Sequence, residues 1–250
     1  MQTQYFKGYS HALGRDMECK VYGHSGKPFL FIPCQDGRFF DFENYKMTDV
    51  WAPWIESGQA MVFSIDTIDS ETWSDINSNP YWRIRRHEQW MRYITDELAP
   101  FIHDIVYQHN GWCSSPCITT FGCSLGATHA VNLFFRYPDL FAGTLALSGI
   151  YTADYGFGGY MDELVYHNSP VHYLSNISPD HPYIEKINRG HSYICVGLGD
   201  WERPESTYRL REIFMEKGIN IFVDFWGHDV AHDWPWWYKQ VAYFLPKLLN

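Results

Sequence analysis

Short apolar runs rich in β-branched and aromatic residues alternate with longer segments of helical periodicity along almost the whole chain. This alternation is typical of a mainly parallel sheet that is covered by helices on both faces. We therefore predict an α/β fold. The predicted strands lie near residues 17–22, 28–33, 60–65, 117–121, 143–147, 192–196 and 220–226. The predicted helices lie near residues 44–57, 83–108, 127–137, 207–217 and 235–249.

The chain is suited to one compact domain over residues 1–250, since 46% of its residues are hydrophobic and 19% are charged. Two segments, at about 66–81 and 151–189, interrupt the alternation and are rich in aromatic, glycine, proline and polar residues. We interpret them as loop excursions from the sheet. Because α/β proteins bind ligands at loops beyond the carboxyl ends of parallel strands, these excursions are candidate walls of a substrate pocket.

The charge and hydropathy patterns exclude several classes of function. The formal net charge is -10, from 29 acidic and 19 basic residues, so the average surface field repels a polyanion such as nucleic acid. The sequence has no unbroken run of about 18 apolar residues, and its first residues lack the apolar core of a secretion signal. We therefore expect a cytoplasmic protein without nucleic-acid or membrane partners. These patterns are compatible with either a monomer or a homo-oligomer.

The cysteine and histidine patterns do not indicate a metal. The six cysteines are scattered, no pair has C-x-x-C spacing, and Cys113 and Cys117 are the only two that lie close together in sequence. The histidines form no H-E-x-x-H or comparable ligand pattern. We expect mostly buried thiols, no required metal and no cofactor.

The strongest local motif is Gly-Cys-Ser-Leu-Gly at 122–126, which fits G-x-S-x-G between an apolar β run and a helix. A sharp strand-to-helix turn holds such a serine in a strained conformation, and the flanking glycines remove side chains that would collide with neighbouring backbone. Ser124 is therefore the candidate nucleophile. The helix that begins at Leu125 directs its first amides toward the same place, so the Leu125 amide is a candidate oxyanion donor.

A serine hydroxyl needs a base and the base needs an oriented acid, and with this motif the chain order is serine, acid, histidine. His228 and His232 both follow the last predicted strand, and His232 is favoured because it immediately precedes the final helix. The acid should follow the preceding strand, where Asp200 and Glu202 are both candidates. Alternation in an extended segment would put both carboxylates on one side, so the residues alone do not choose between them.

Several motifs resemble those of the putative-esterase family of α/β-hydrolases, which includes esterase D, enterochelin esterases, feruloyl esterases and mycolyltransferases. The resemblance extends from FLFIPCQDGRFFDF at 29–42, through the Ser124 motif and VGLGDWE at 196–202, to HDWPWW at 232–237. It implies an α/β-hydrolase fold with His232 as the base. The Gly-x-Gly-x-Trp-Glu arrangement at 197–202 resembles the family's acid loop and implies Glu202 as the acid.

The resemblance also implies a second oxyanion donor in the loop after an early strand, near an Asp-Gly or His-Gly pair. The corresponding stretch here is Cys-Gln-Asp-Gly-Arg at 34–38, and the backbone amides of Gln35 and Arg38 are the candidates. A simple tight turn after the strand is the alternative for this stretch.

These residues together predict a serine hydrolase that cleaves a small-molecule carboxylic ester through an acyl-enzyme intermediate. One alternative is an acyltransferase that uses the same residues and passes the acyl group to an alcohol other than water. A second is a non-catalytic binding protein of the same fold, in which aromatic loop residues form a ligand surface.

Overall fold

Eight strands form one sheet in the order β1-β2-β4-β3-β5-β6-β7-β8. The computed structural model describes residues 1–249, and its strands are β1 (Thr3–Ser10), β2 (Arg15–Tyr22), β3 (Lys27–Ile32), β4 (Ala60–Ile65), β5 (Ile118–Cys123), β6 (Phe141–Leu147), β7 (Tyr193–Val196) and β8 (Phe222–Phe225). Strand β2 runs antiparallel to β1 and β4, and all other neighbouring pairs are parallel. The predicted single-domain α/β fold with a mainly parallel sheet is confirmed.

The seven predicted strands correspond to β2 through β8, and the sequence analysis misses β1. This strand lies at the edge of the sheet, and most of its residues are exposed. No apolar run marks it, because an edge strand that packs against little else does not need one. Its antiparallel pairing with β2, from Thr3 opposite Tyr22 to Ser10 opposite Arg15, is what holds it in the sheet.

Eleven helices lie within residues 1–249. They are α1 (Asp41–Asn44), α2 (Met47–Glu56), α3 (Pro80–Arg92), α4 (Ala99–Asn110), α5 (Leu125–Arg136), α6 (Asp154–Phe157), α7 (Glu163–His167), α8 (Pro170–Asn176), α9 (Pro182–Ile187), α10 (Glu205–Lys217) and α11 (Trp234–Leu249). The helix predicted over 83–108 is divided into α3 and α4 by a π-helical turn at Tyr93–Leu98. Pro100, which has no amide hydrogen for the carbonyl of Asp96, accounts for the wider turn there.

Both faces of the sheet are buried, as expected for parallel strands. In β3, Phe29 and Phe31 pack with α2 and α11 on one face. Leu30 and Ile32 point to the opposite face, where they join a larger core built from α3, α4, α5 and α10. The helices therefore cover the sheet on two sides and leave its strand ends accessible. None of the helices in the described part of the chain is long and apolar enough to cross a membrane.

Strands β3 to β8 are all parallel, so their carboxyl ends meet at one edge of the sheet. The segments 66–81 and 151–189 follow β4 and β6 and therefore leave the sheet at this edge. The first contains a short 3₁₀ turn at Asp69–Glu71, and the second contains the four short helices α6 to α9. This edge is where ligand sites of open α/β sheets form.

Candidate active site

Ser124 lies at the turn between β5 and α5, and its backbone has φ 56° and ψ −129°. A non-glycine residue rarely adopts this conformation, which the surrounding structure must hold in place. Part of the constraint is a 2.9 Å hydrogen bond from the Ser124 amide to the Leu147 carbonyl at the end of β6. The neighbouring Cys123 side chain is fully buried, and burial raises the pKa of its thiol well above the usual range. Of these two adjacent residues, the serine is therefore the available nucleophile.

Both glycines of the motif are required by close backbone packing. A Cβ on Gly122 would lie 2.3 Å from the Gly126 carbonyl group, and one on Gly126 would lie 2.2 Å from the Ile32 carbonyl oxygen. These separations are too short for any side chain. The start of α5 consequently sits directly against the ends of β3 and β5, which aims the first turn of the helix at the edge that carries Ser124.

A chain of hydrogen bonds links Ser124, His232 and Glu202. The Nε2 atom of His232 lies 2.9 Å from Ser124 Oγ, and its Nδ1 atom lies 3.2 Å from Glu202 Oε2. The His232 amide donates to the Asp200 carbonyl at 2.9 Å, and the Trp237 ring packs edge-on against the imidazole, with 5.0 Å between ring centroids. The imidazole is thus held from three directions.

Glu202 is almost fully buried, with a side-chain exposure of 1%. Its Oε1 atom accepts hydrogen bonds from Ser148 Oγ at 2.6 Å and from the Gly197 amide at 3.1 Å. Trp237 Nε1 donates in turn to Ser148 Oγ at 3.0 Å. Because both carboxylate oxygens have partners, the buried charge is compensated and its orientation toward His232 is fixed.

The structure distinguishes between the two candidates for the acid and between the two candidates for the base. Asp200 is exposed and contacts the site through its backbone carbonyl, whereas the side chain of Glu202 turns inward. The expectation that both carboxylates lie on one side of an extended segment is wrong, because Trp201 has φ 66° and the segment makes a turn. His228 is also exposed, and its Nδ1 atom lies 3.2 Å from the Leu198 carbonyl rather than near Ser124.

The candidate oxyanion donors differ in whether their amides are free. Within residues 1–249, neither the Leu125 amide nor the Gln35 amide has a hydrogen-bond acceptor. The Arg38 amide, in contrast, donates to Asp41 Oδ2 at 2.9 Å, so it is already occupied. Leu125 and Gln35 are thus the available pair, and Arg38 drops out as a donor.

The loop that carries Gln35 is supported by the segment after β4. The Asp36 amide donates to Asp69 Oδ2 at 3.4 Å, and Asp69 Oδ1 lies 2.9 Å from His129 Nε2. Asp69 and His129 are both buried, with exposures of 2% and 1%. Thr67 donates through its amide and its hydroxyl to the Gly37 carbonyl at 3.2 and 3.0 Å. The excursion at 66–81 therefore fixes the loop at 34–37 to α5, the helix that follows Ser124.

A cavity of about 170 Å³ opens beside Ser124 and His232. Ile150, Tyr155 and Arg203 line both this cavity and an adjoining one of about 280 Å³. Tyr155 donates a hydrogen bond to the Gln35 side chain at 2.9 Å, which ties the segment after β6 to the candidate oxyanion loop. Among the described residues, no group of side chains with metal-ligand spacing lines this cavity.

Ser148, Trp237 and Asp69 support the site but are absent from the sequence-based candidates. Ser148 follows β6 at the same edge as Ser124 and has φ 57°, so its position at a strand end was the available signal. Trp237 ends the HDWPWW motif but was given no role, and no local pattern marks Asp69, because each acts through a partner that is distant in sequence.

A family profile described as "Putative esterase" matches residues 10–248. No curated protein sequence is significantly similar to the chain.

Solved structures of the same fold include a ferulic acid esterase, with 15% identity, a TM-score of 0.76, and coverage of 99% of this chain and 98% of that chain. An S-formylglutathione hydrolase from Agrobacterium tumefaciens has 15% identity and a TM-score of 0.71, covering 99% of this chain and 94% of its own. MPT51 from Mycobacterium tuberculosis has 13% identity and a TM-score of 0.70, covering 100% and 98%. At these identities the similarity establishes the fold.

Proposed function

Since the profile match spans nearly its whole length, this chain belongs to the family described as "Putative esterase", and we propose that it is a serine esterase acting through Ser124, His232 and Glu202. Membership in this family supports a hydrolase function. The proposal that these three residues form a catalytic triad rests on their hydrogen bonds. His232 Nε2 lies 2.9 Å from Ser124 Oγ, and His232 Nδ1 lies 3.2 Å from Glu202 Oε2. This is the arrangement that transfers a proton from a hydroxyl to a base.

In the acylation step, His232 Nε2 accepts the Ser124 Oγ proton while the oxygen attacks the ester carbonyl carbon. The negative charge that develops on the carbonyl oxygen is stabilised by the Leu125 and Gln35 amides. Glu202 stabilises the imidazolium and keeps its Nδ1 protonated. The tetrahedral intermediate then collapses, the C–O bond of the ester breaks, and the alcohol leaves with the proton from Nε2.

In the deacylation step, His232 Nε2 removes a proton from water, and the hydroxide oxygen attacks the acyl carbon. The second tetrahedral intermediate then collapses and its bond from carbon to Ser124 Oγ breaks, while His232 Nε2 gives the proton to the departing Oγ and the carboxylic acid is released. The free enzyme is thereby regenerated without a cofactor in the reaction.

The shape of the site suggests how an ester is accommodated. The cavity of about 170 Å³ beside Ser124 suits a small group, and the larger neighbouring cavity of about 280 Å³ suits the rest of the molecule. Ile150 and Tyr155 present apolar surface to both cavities, and Arg203 contributes a positive charge at their junction. We therefore propose a small-molecule ester whose two sides occupy the two cavities.

The test combines covalent labelling with turnover. The full chain should be labelled by a fluorophosphonate probe at Ser124, as located by peptide mass mapping, and should hydrolyse aryl esters of short acids. Ser124→Ala should abolish both labelling and turnover. The matched control is Ser114→Ala, which removes an exposed serine hydroxyl before the amino end of β5 and should preserve both.

Persistence of labelling in Ser124→Ala would remove this serine from the reaction. Absence of labelling and of turnover in a correctly folded wild-type chain would favour a binding protein over an esterase.

A further inference from the structure

Three side chains with metal-ligand atoms converge at the amino end of β5. His103 is on α4, Cys113 is in the connecting loop, and Cys117 immediately precedes the strand. Their ligand atoms all lie within 4.8 Å of one another, and within residues 1–249 no other group of three such side chains has this spacing. Histidine nitrogen and cysteine sulfur are the ligands that Zn²⁺ prefers.

A reversal of the chain after α4 brings these three residues together. Helix α4 ends at Asn110, and the next residue, Gly111, has φ 73° and donates its amide to the Tyr107 carbonyl at 2.8 Å. The left-handed residue reverses the chain, so the loop at 111–117 returns beside the helix. Cys113 Sγ then lies 3.3 Å from His103 Nδ1, and Cys117 Sγ lies 3.8 Å from Nε2 and 4.0 Å from Nδ1 of the same ring.

These separations are close to those of a tetrahedral zinc centre. Zinc–sulfur bonds of about 2.3 Å and zinc–nitrogen bonds of about 2.0 Å put nitrogen and sulfur about 3.5 Å apart at a tetrahedral angle. His103 Nδ1 is 3.3 and 4.0 Å from the two sulfurs, and these two distances lie on either side of that value. Two thiolates and a neutral imidazole also balance the charge of Zn²⁺, which suits a site where Cys117 is only 9% exposed.

We propose that His103, Cys113 and Cys117 bind one Zn²⁺ ion, which fastens the loop at 111–117 to α4. Three protein ligands leave a fourth position for water, and solvent reaches it because His103 and Cys113 are half-exposed. The site is separate from the ester chemistry. Strand β5 runs between Cys117 and Ser124, and its length places them roughly 20 Å apart. The proposal therefore stands or falls independently of the proposed esterase function.

The first measurement uses Co²⁺ as a spectroscopic substitute for Zn²⁺. The full chain is reduced, freed of metals with a chelator and titrated with Co²⁺ under anaerobic conditions. We expect saturation at one ion per chain, with a thiolate-to-cobalt charge-transfer band and the visible bands of a tetrahedral centre, both abolished by added Zn²⁺. Zinc affinity is then measured by competition with a chromogenic chelator.

The second measurement compares ligand variants with matched controls. Cys117→Ser and His103→Gln should weaken zinc binding at least about 100-fold, since each removes a direct ligand. His109→Gln changes another histidine on the same helix, and Cys19→Ala removes a cysteine outside the cluster, so both should bind as the wild type does. Thermal unfolding in the presence of chelator checks that each variant folds.

X-ray absorption of the zinc-loaded wild type provides a readout that needs no variant. The expected first shell contains two sulfur atoms at about 2.3 Å and nitrogen or oxygen at about 2.0 Å. A shell without sulfur, binding well below one ion per chain, or equal binding by Cys117→Ser would overturn the proposal. So would a Cys113–Cys117 disulfide that persists in mild reductant, because the cluster would then be a redox pair.

Discussion

Replacing Glu202 by glutamine isolates the role of the acid, because the structure determines how the new amide must lie. The Oε1 atom of Glu202 accepts from the Ser148 hydroxyl and from the Gly197 amide. In Glu202→Gln the amide oxygen must take this place, since an NH₂ group there would face the Gly197 N–H and leave two donors opposed. The NH₂ group therefore points at His232 Nδ1.

That orientation forces the imidazole into the wrong tautomer. His232 Nδ1 must accept from the new amide, so the ring proton moves to Nε2 and faces Ser124 Oγ. An Nε2–H cannot remove the serine proton. Comparable substitutions of a triad acid lower kcat by about 10⁴-fold, which is about 5.5 kcal/mol of transition-state stabilisation.

The assay measures steady-state hydrolysis of an aryl ester and the rate of fluorophosphonate labelling at Ser124. Both should fall about 10³-fold or more in Glu202→Gln, with little change in the thermal midpoint. Asp200→Asn is the matched control, because its carboxylate is exposed and the site uses only its backbone carbonyl. Its kcat should stay within about threefold of the wild type, since an exposed side chain outside the hydrogen-bond chain contributes little. A Glu202→Gln variant that keeps more than a tenth of its kcat, or a larger loss in Asp200→Asn, would refute this reasoning.

Three further predictions concern the base, a buried ion pair and a thiol. His232→Ala should lower kcat by about 10⁶-fold while His228→Ala changes it by less than about threefold in the same ester assay, and the reverse order would exchange their roles. Burial, the largest single cause, raises the pKa of Glu88, but the hydrogen bonds and charge of Arg136 and the hydrogen bond from Asn168 together outweigh it, so the net pKa is lowered. The stabilisation by this carboxylate is thus present at neutral pH and lost as the pH falls below the ordinary glutamate value of about 4.3. In urea unfolding, Glu88→Gln should be about 3 kcal/mol less stable at pH 7, with the difference shrinking below about pH 4, and a constant difference would contradict the linkage. Burial, with a smaller contribution from the Asp41 charge, raises the pKa of Cys34 to about 12. Iodoacetamide at pH 8 should therefore leave Cys34 unmodified in peptide mapping and the esterase rate unchanged, and rapid alkylation there would show a more exposed thiol.

Much of the fold was predictable because it depends on local periodicity. Strands β3 to β8 carry short apolar runs and β2 alternates polar and buried apolar residues, and the predicted helices follow a helical period, whereas the four short helices α6 to α9 were not predicted. The serine motif was also predictable from neighbouring residues. Gly122 and Gly126 are each two residues from Ser124, and the close backbone packing there leaves no room for a side chain at either position. Where the local signal is weak, as in the exposed edge strand β1, the prediction failed.

The sequence by itself determined the α/β class, the parallel sheet and the position of Ser124, because each is set by patterns a few residues long. The family resemblance implied Glu202 as the acid, but the physical reason is visible only in the tertiary structure, where the turn at Trp201 sends Glu202 inward and leaves Asp200 in solvent. The tertiary structure also decided that Ser148 and Trp237 hold that carboxylate, and that the Arg38 amide is occupied by Asp41. Ser124 and His232 are 108 positions apart, and no periodicity reports on a contact that exists only once the whole sheet has assembled.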